Sequence, residues 1–397
     1  LVSKKLWLNV KGGLSAGRVQ SPAVKILVDR EKLRSNFKQN EFWDLQGEFK
    51  FKEDTIFSKL VSIDGKNIAT GNSFNKTTGE LENKNSIILN KKTSDDLIES
   101  ISKNSWKIED VVKKPRTQNP YAPFITSTLQ QEGIRKLNMN SNQVMRSAQT
   151  LYEEGLITYM RTDSINLSAE ALNAARSLIE EKYGNEYLPE KVRIYKSKAK
   201  NSQEAHEAIR PAGSTFKDPQ SLKEKLSNQE YKLYDLIWKR TVASQMKSAK
   251  VEQTKLNISD GKHLFTASGK TILFPGFLRA YVEGSDDPNA TLDDMEKVLP
   301  LVNKGDTVTW STIIPKQHFT KPVSRFTEAS LVKEMEALGI GRPSTYAAIM
   351  KKIQDKGYAN NSKGSLIPTL TGYAIVQFLE SYFQDLVNLE YTSNMEN

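Results

Sequence analysis

Between residues 14 and 34, apolar side chains recur at Val19, Ala23, Ile26, Leu27 and Val28 with charges between them. That spacing predicts a helix with one broad apolar face. The rhythm changes from 41 to 112, where Phe42-Trp43-Asp44-Leu45, Gly47-Glu48-Phe49-Lys50-Phe51 and Ser86-Ile87-Ile88-Leu89 read as short strands between polar turns. Two prolines and three basic residues between Lys113 and Pro120 mark a boundary. A helical period returns from 124 to 246. Val144, Ala148, Leu151 and Tyr152 form one stripe, Leu172, Ala175, Leu178 and Ile179 a second behind an N-cap at Ser168, and Leu233, Leu236, Ile237 and Trp238 a third. Strand-like segments reappear at Lys255-Leu256-Asn257-Ile258 and from Asp306 to Trp310, and the last 75 or so residues are helical again. A helical insert between two β-rich stretches predicts one discontinuous β domain interrupted by an α domain. No internal repeat or low-complexity segment is visible.

The final block has its own logic. Thr327 caps a helix carrying Leu331, Met335 and Leu338, which ends at Gly339-Ile340-Gly341. Pro343 is placed for helix entry, so Arg342, Ser344 and Thr345 are expected at the second helix's N-terminus, where backbone amides favour phosphate. Two helices about a glycine turn resemble a helix-turn-helix, and equally an ordinary helical hairpin.

Composition narrows the partner. The 397 residues allow several cores, and no apolar run approaches the roughly 18 residues needed to span a bilayer. No membrane partner is therefore expected. Lys+Arg 57 against Asp+Glu 47 gives a net charge of +10, which points to an anionic partner, nucleic acid first, unless it reflects only lysine bias. With no cysteine and 3 histidines, a thiolate zinc site is excluded within the chain and a multi-histidine site is not expected. The opening Leu1-Val2-Ser3-Lys4-Lys5 is too charged for a signal peptide, and a first residue other than Met is expected of a piece of a longer chain.

Four segments could carry chemistry. Gly155-Leu156-Ile157-Thr158-Tyr159-Met160-Arg161-Thr162-Asp163-Ser164 offers a phenol that could attack a phosphodiester, with Arg161 two residues on to neutralise phosphate. Alone, it reads as readily as a core tyrosine at a strand end. Gly12 to Gly17 imitates a P-loop, but Arg18 and Val19 stand where Lys and Ser or Thr are required. ATP hydrolysis is not expected; backbone approach to a phosphate, with Arg18 as a clamp, fits better. Gln203 to Pro211 concentrates His206, Glu204, Glu207 and Arg210, with His206 and Arg210 as candidate phosphate contacts and a structural histidine as the alternative. Asp293, Asp294 and Glu296 come nearest to a magnesium site but read as solvated surface, so no metal site is expected.

Taken together and in this order, Leu14 to Ser21, Gly155 to Ser164, Glu204 to Pro211, and Arg325 to Leu331 running into Gly339 to Tyr346 resemble the type IA DNA topoisomerases, on the bacterial topoisomerase I branch. The resemblance covers essentially the whole chain, and Met160 points to that branch. It implies a multidomain α+β toroidal core with helical domains joined by a discontinuous β-rich arch. The expected layout is a helical DNA-binding domain (1–45 and 316–397), the arch (46–118 and 247–315) and an α-helical domain (119–246) bearing the nucleophile. Tyr159 is implied as nucleophile through a 5′-phosphotyrosine and Arg161 as charge stabiliser. Arg18, Gln20, His206, Arg210, Arg325, Thr327, Arg342 and Ser344 are implied as DNA contacts.

The resemblance also implies a monomeric, cytoplasmic, nucleoid-associated enzyme that needs no ATP and relaxes negative supercoils. The family's Mg2+ site lies on a Toprim domain whose acidic motif is not found in these residues, and its zinc ribbons are not found either. The chain is accordingly expected to bind single-stranded DNA while being catalytically incomplete. The alternative is a non-catalytic single-stranded DNA-binding fragment, and a reverse-gyrase half is a third option disfavoured by the lysine- and asparagine-rich composition.

Overall fold

A computed structural model describes residues 2–10, 12–101, 104–196, 207–282 and 298–396. Its centre is an antiparallel sheet of seven strands. They are β1 (Glu41–Phe51), β2 (Asp54–Ile63), β3 (Lys66–Asn67), β4 (Trp106–Gln118), β5 (Ala249–Ser259), β6 (His263–Phe274) and β7 (Thr307–Phe319). The order is β1-β7-β4-β5-β6-β2-β3, and β1 also pairs with β2, so six strands close into a ring. Closure pairs most strand edges, and β4 beyond Lys107 keeps one edge open. The inward positions follow a period of two; along β2, Ile56, Ser58, Leu60 and Ser62 are buried and their neighbours are not.

The ring is filled by Phe49, Trp106 and Phe265, which meet edge-to-face at centroid distances of 5.2, 5.3 and 5.4 Å. Gly47 leaves them room: a Cβ there would stand 2.8 Å from the Phe49 ring and 2.9 Å from that of Phe265. The weakest seam is β4–β7, which pairs only at Trp106↔Val308 and Lys107↔Thr307. Pro115, with no N–H to donate, falls where β4 has a partner on one side only.

The basic, proline-containing stretch from Lys113 is strand as far as Gln118. There the chain leaves the sheet, and it returns at the paired residue, Ala249. Between them lie α4 (Thr126–Leu137), α5 (Ser141–Glu153), α6 (Ala169–Tyr183) and α7 (Asn228–Ser244), packed round a second core that includes Val144, Ala148, Leu151, Ile179, Leu233 and Ile237. Ser168 does cap α6, accepting from the Ala171 amide at 3.3 Å. Gly133 permits the close crossing of α4 and α5, since a Cβ there would meet Val144 at 2.6 Å.

A third core joins α2 (Gln20–Asn36) to α8 (Glu328–Ala337), α9 (Tyr346–Asp355) and α10 (Leu370–Tyr382). The short helices α1 (Val2–Asn9) and α11 (Leu389–Glu396) flank it. Among the described residues no helix is long and apolar enough to cross a membrane.

Several elements differ from expectation. Ser86 to Leu89 makes only isolated bridges, Ile68↔Ile87 and Trp43↔Leu89, because it crosses two strand ends once each. Helix α3 (Lys91–Ile101) was not expected. Its Leu97, Ile98 and Ile101 share one face packed on the ring's core, and Asn90 and Thr93 cap it reciprocally at 2.9 Å. A hairpin, β8 (Ala359–Ser362) with β9 (Ser365–Pro368), interrupts the C-terminal helices. The expected boundaries at 45/46 and 315/316 cut a continuous ladder, which runs from Glu41↔Phe319 to Lys50↔Thr309.

Phe265→Ala is expected to lower the unfolding free energy of the ring by about 3–5 kcal/mol through cavity formation. Tyr382→Ala, at an exposed site, should stay within about 0.5 kcal/mol. Denaturant titration of both variants checks this.

Candidate functional site

Tyr159 lies in the irregular segment between α5 and α6. Helix α5 gives way at Gly155, whose φ of 68° is left-handed. The turn closes with Leu156 N–H donating to the Leu151 carbonyl at 2.9 Å, and a side chain at 155 would cost about 1 kcal/mol in backbone strain. From there both shoulders of the tyrosine are fixed. On one side Thr158 N–H donates to the Arg210 carbonyl at 2.9 Å and its hydroxyl donates to the Ala208 carbonyl at 2.7 Å. On the other, the Thr126 hydroxyl at the start of α4 donates to the Met160 carbonyl at 2.7 Å and accepts from Thr162 N–H at 2.9 Å. Ile157 and Met160 are buried.

Between these anchors the Tyr159 side chain turns outward. It is 41% exposed, with its ring edge-on to Tyr152 at 5.3 Å. Among the described residues its hydroxyl has no hydrogen-bond partner. Tyr152 is thus a neighbour of Tyr159 and not part of the α5 core stripe. Arg161 is exposed and, among the described residues, unpaired. The arrangement presents a rigidly held phenol and a nearby free cation to solvent, which suits in-line attack on a phosphodiester.

Arg210, an expected DNA contact, is only 6% exposed. Its guanidinium meets Glu207 at 2.9 Å and donates to the Pro211 carbonyl at 2.9 Å. It acts as a strut, because Glu207 also accepts from Ser168 N–H at 2.6 Å and so ties the 207–211 segment to the start of α6. Burial alone would raise the Glu207 carboxyl, but hydrogen bonds from Ser168 and Arg210 outweigh it and hold the group below its ordinary value.

The remaining candidates divide in the same way. Arg18 is exposed and unpaired among the described residues, beside a cavity of about 690 Å³ lined also by Tyr382, Phe383 and Tyr391. Gln20 is 4% exposed and donates to the Ser15 carbonyl at 2.9 Å, shaping the glycine turn instead of facing a ligand. Tyr358 and Lys356 brace the same turn, at Ser15 and Gly13, each at 2.8 Å. Arg325 forms a bidentate pair with Glu31 at 2.6 and 2.9 Å, which holds the carboxyl below its ordinary value.

Thr327 is spent as the cap of α8, accepting from Ser330 N–H at 3.0 Å. Arg342 donates to the Gly341 and Glu396 carbonyls. Ser344 is exposed and unpaired among the described residues. Helix α9 starts at Tyr346, three residues after Pro343, because Arg342 and Thr345 close a turn on each other first, at 2.8 Å. His206, Asp293, Asp294 and Glu296 lie outside the described residues. Among the described residues no three His, Asp or Glu side chains converge as a metal cluster.

Sequence reasoning missed Thr126 and Glu207 as the residues that fix the tyrosine segment. Thr126 lies 33 positions from Tyr159, and nothing local marks it.

Because the folded Glu207 carboxyl lies below the unfolded value of about 4.3, its contribution is complete above that pH and is lost as pH falls through the folded value. Glu207→Gln should therefore be less stable than the parent at about pH 7, with the gap closing towards about pH 3. Denaturant titration across that range measures it.

Comparison with known proteins gives a consistent result. A family model described as DNA topoisomerase matches residues 1–397. DNA topoisomerase 1 of Synechococcus elongatus is 47% identical over 396 residues, covering 100% of this chain and 45% of that protein. DNA topoisomerase 1 of Streptomyces coelicolor is 46% identical over 408 residues, covering 100% of this chain and 42% of that protein. Full-length topoisomerase I of Thermotoga maritima superposes with a TM-score of 0.78 at 32% identity, over 100% of this chain and 60% of that one. The chain spans less than half the length of these curated relatives. Matched along all its residues, the chain belongs to the type IA DNA topoisomerase family.

Proposed function

We propose that the chain is the strand-cleaving and strand-holding part of an ATP-independent type IA topoisomerase acting on single-stranded DNA. The observation that carries this reading is the outward, unpartnered hydroxyl of Tyr159, set between the anchored residues Thr158 and Met160. The Tyr159 oxygen attacks phosphorus, the bond to the 3′ oxygen breaks, and the departing oxygen takes up a proton. The product is a 5′-phosphotyrosine and a free 3′-hydroxyl. After strand passage the hydroxyl attacks the phosphotyrosine, and the phenol leaves and regains its proton. One phosphodiester is exchanged for another of similar energy, so no nucleotide hydrolysis is required. Relaxation of negative supercoils is the net result.

Arg161 supplies positive charge to the phosphate in the transition state. Arg18 and Ser344, exposed and unpaired among the described residues, are the best placed of the expected contacts to hold the strand. Gln20, Arg210, Arg325, Thr327 and Arg342 serve by shaping the surfaces around them. The helical unit of 119–246 carries the nucleophile, the ring, which runs from Glu41 to Gln118 and from Ala249 to Phe319, is the arch, and the helices before and after it grip DNA. The enzyme works as a monomer in the bacterial cytoplasm, at the nucleoid. Mg2+ is assigned to the family's Toprim domain, and no step above is routed through it.

Among the described residues no side chain sits on the Tyr159 hydroxyl to take its proton. That observation supports a second reading, in which the chain alone binds single strands without efficient cleavage. Incubated with a labelled oligonucleotide and magnesium and then denatured, the chain should yield little covalent adduct; abundant adduct overturns that reading. In the whole enzyme, Tyr159→Phe should abolish the adduct and Arg161→Ala should slow its formation by about 10²–10³-fold. Binding should weaken steeply with salt, and Arg18→Ala should flatten the log–log slope by about 0.7. A salt-insensitive affinity contradicts the phosphate-contact picture.

A further inference from the structure

The two helical units meet along α4 and α8, and three hydrogen bonds cross between them or brace the crossing. Ser141 N–H, at the start of α5, donates to Glu328 at 2.8 Å, and Gln354 holds the other Glu328 oxygen at 2.9 Å. The Ser127 hydroxyl donates to Glu336 at 2.6 Å. Ser127 is 2% exposed and immediately follows Thr126, whose hydroxyl holds Met160 and Thr162. In one turn of α4, adjacent side chains thus face opposite tasks: one grips the tyrosine segment and the next grips the other unit.

We propose that Glu336 is a positioning residue, acting through Ser127 and the first turn of α4 to make docking of the two helical units set the placement of Tyr159. The inference rests on the reading of Tyr159 as nucleophile and deepens it. The first turn of a helix has few hydrogen bonds of its own and depends on outside partners for rigidity. Here the outside partners are the Tyr159 segment on one side and Glu336 on the other. When the units separate, Ser127 loses its acceptor and the turn bearing Thr126 is held from one side only. The strand-holding surface and the cleaving residue are then correctly disposed only in the docked state, which restricts cleavage to a closed enzyme.

The surroundings of Glu336 favour a contact that is specific yet breakable. Burial pushes its carboxyl up, the Ser127 hydrogen bond opposes that, and the charge of Asp163, four residues beyond Tyr159, pushes it further up. Asp163 and Glu336 are like charges brought together by docking, so their repulsion offsets part of what the hydrogen bond contributes. Tyr346 of α9 feels both carboxylates, which places all three groups at one junction.

Amide-resolved hydrogen exchange on this chain tests the proposal, because Thr158 and Thr162 are held from different sides. Ser127→Ala and Glu336→Ala should each speed exchange of the Thr162 amide by about tenfold, while Thr158, held by the Arg210 carbonyl, changes by less than about twofold. Glu336→Gln, which still accepts from Ser127, should keep Thr162 protected. The double variant should exceed neither single, since both remove one contact. Equal acceleration at Thr158 and Thr162, or an unchanged Thr162, overturns the proposal. In the whole enzyme, Glu336→Ala should reduce adduct formation with oligonucleotide affinity retained, and Glu336→Gln should restore it; parallel loss of both affinity and adduct overturns it. The exchange result does not depend on which residue attacks DNA, whereas adduct formation by Tyr159→Phe would sink the nucleophile assignment alone.

Discussion

The pairing of Gln118 with Ala249 is the constraint from which the rest of the architecture follows. It brings together the two ends of a long helical insertion at neighbouring positions of one antiparallel ladder. Closing so large a loop carries an entropic cost that grows only slowly with length. The β4–β5 ladder, registered from Lys107↔Ser259 to Gln118↔Ala249, offsets it with backbone hydrogen bonds along its full length. The ring can therefore fill its own interior with Phe49, Trp106 and Phe265 while the insertion builds a separate core. The insertion's core also takes in Ala249 and Phe274, at the ends of β5 and β6, and Phe277 and Tyr281 just beyond, so the unit bearing Tyr159 is seated on one end of the ring.

Across the two helical units the candidate basic residues divide into two kinds. Arg210, Arg325 and Arg342 satisfy carboxylates or carbonyls and hold segments in place. Arg18 and Arg161 are exposed and unpaired among the described residues. A guanidinium already matched by a carboxylate adds little field at a phosphate, whereas an unpaired one adds its full charge. The net charge of +10 therefore does not by itself tell which cations are available to an anionic partner.

Much of this was legible in the sequence wherever the cause was local. Ser168 and Thr327 cap helices as expected because a cap and its amide lie three residues apart. The motif around Tyr159 was legible too, although its sequence did not show that Tyr159 and Arg161 are exposed. What escaped was long-range. The partner of Arg325 is Glu31, and that of Ser127 is Glu336, far along the chain in each case. A basic residue in a motif looks like a ligand contact until its carboxylate is found, and only the fold supplies that carboxylate. Helix α3 escaped for another reason: its apolar residues, Leu97, Ile98 and Ile101, make one short stripe within a stretch whose neighbours alternate as strands do.

The insertion's attachment has a mechanical consequence. Gln118 and Ala249 sit side by side at one end of the β4–β5 ribbon, so a pull on the helical unit reaches both strands together and in the same direction. Such a load does not peel one strand from its neighbour, as it would if the insertion were tethered at distant points. It loads the two strands in parallel and in the same sense, with the hydrogen bonds running between them. The two-pair seam between β4 and β7 leaves the ribbon free along most of one margin. A displacement of the helical unit relative to the ring would therefore fall on the end of this ribbon and on the neighbouring end of β6.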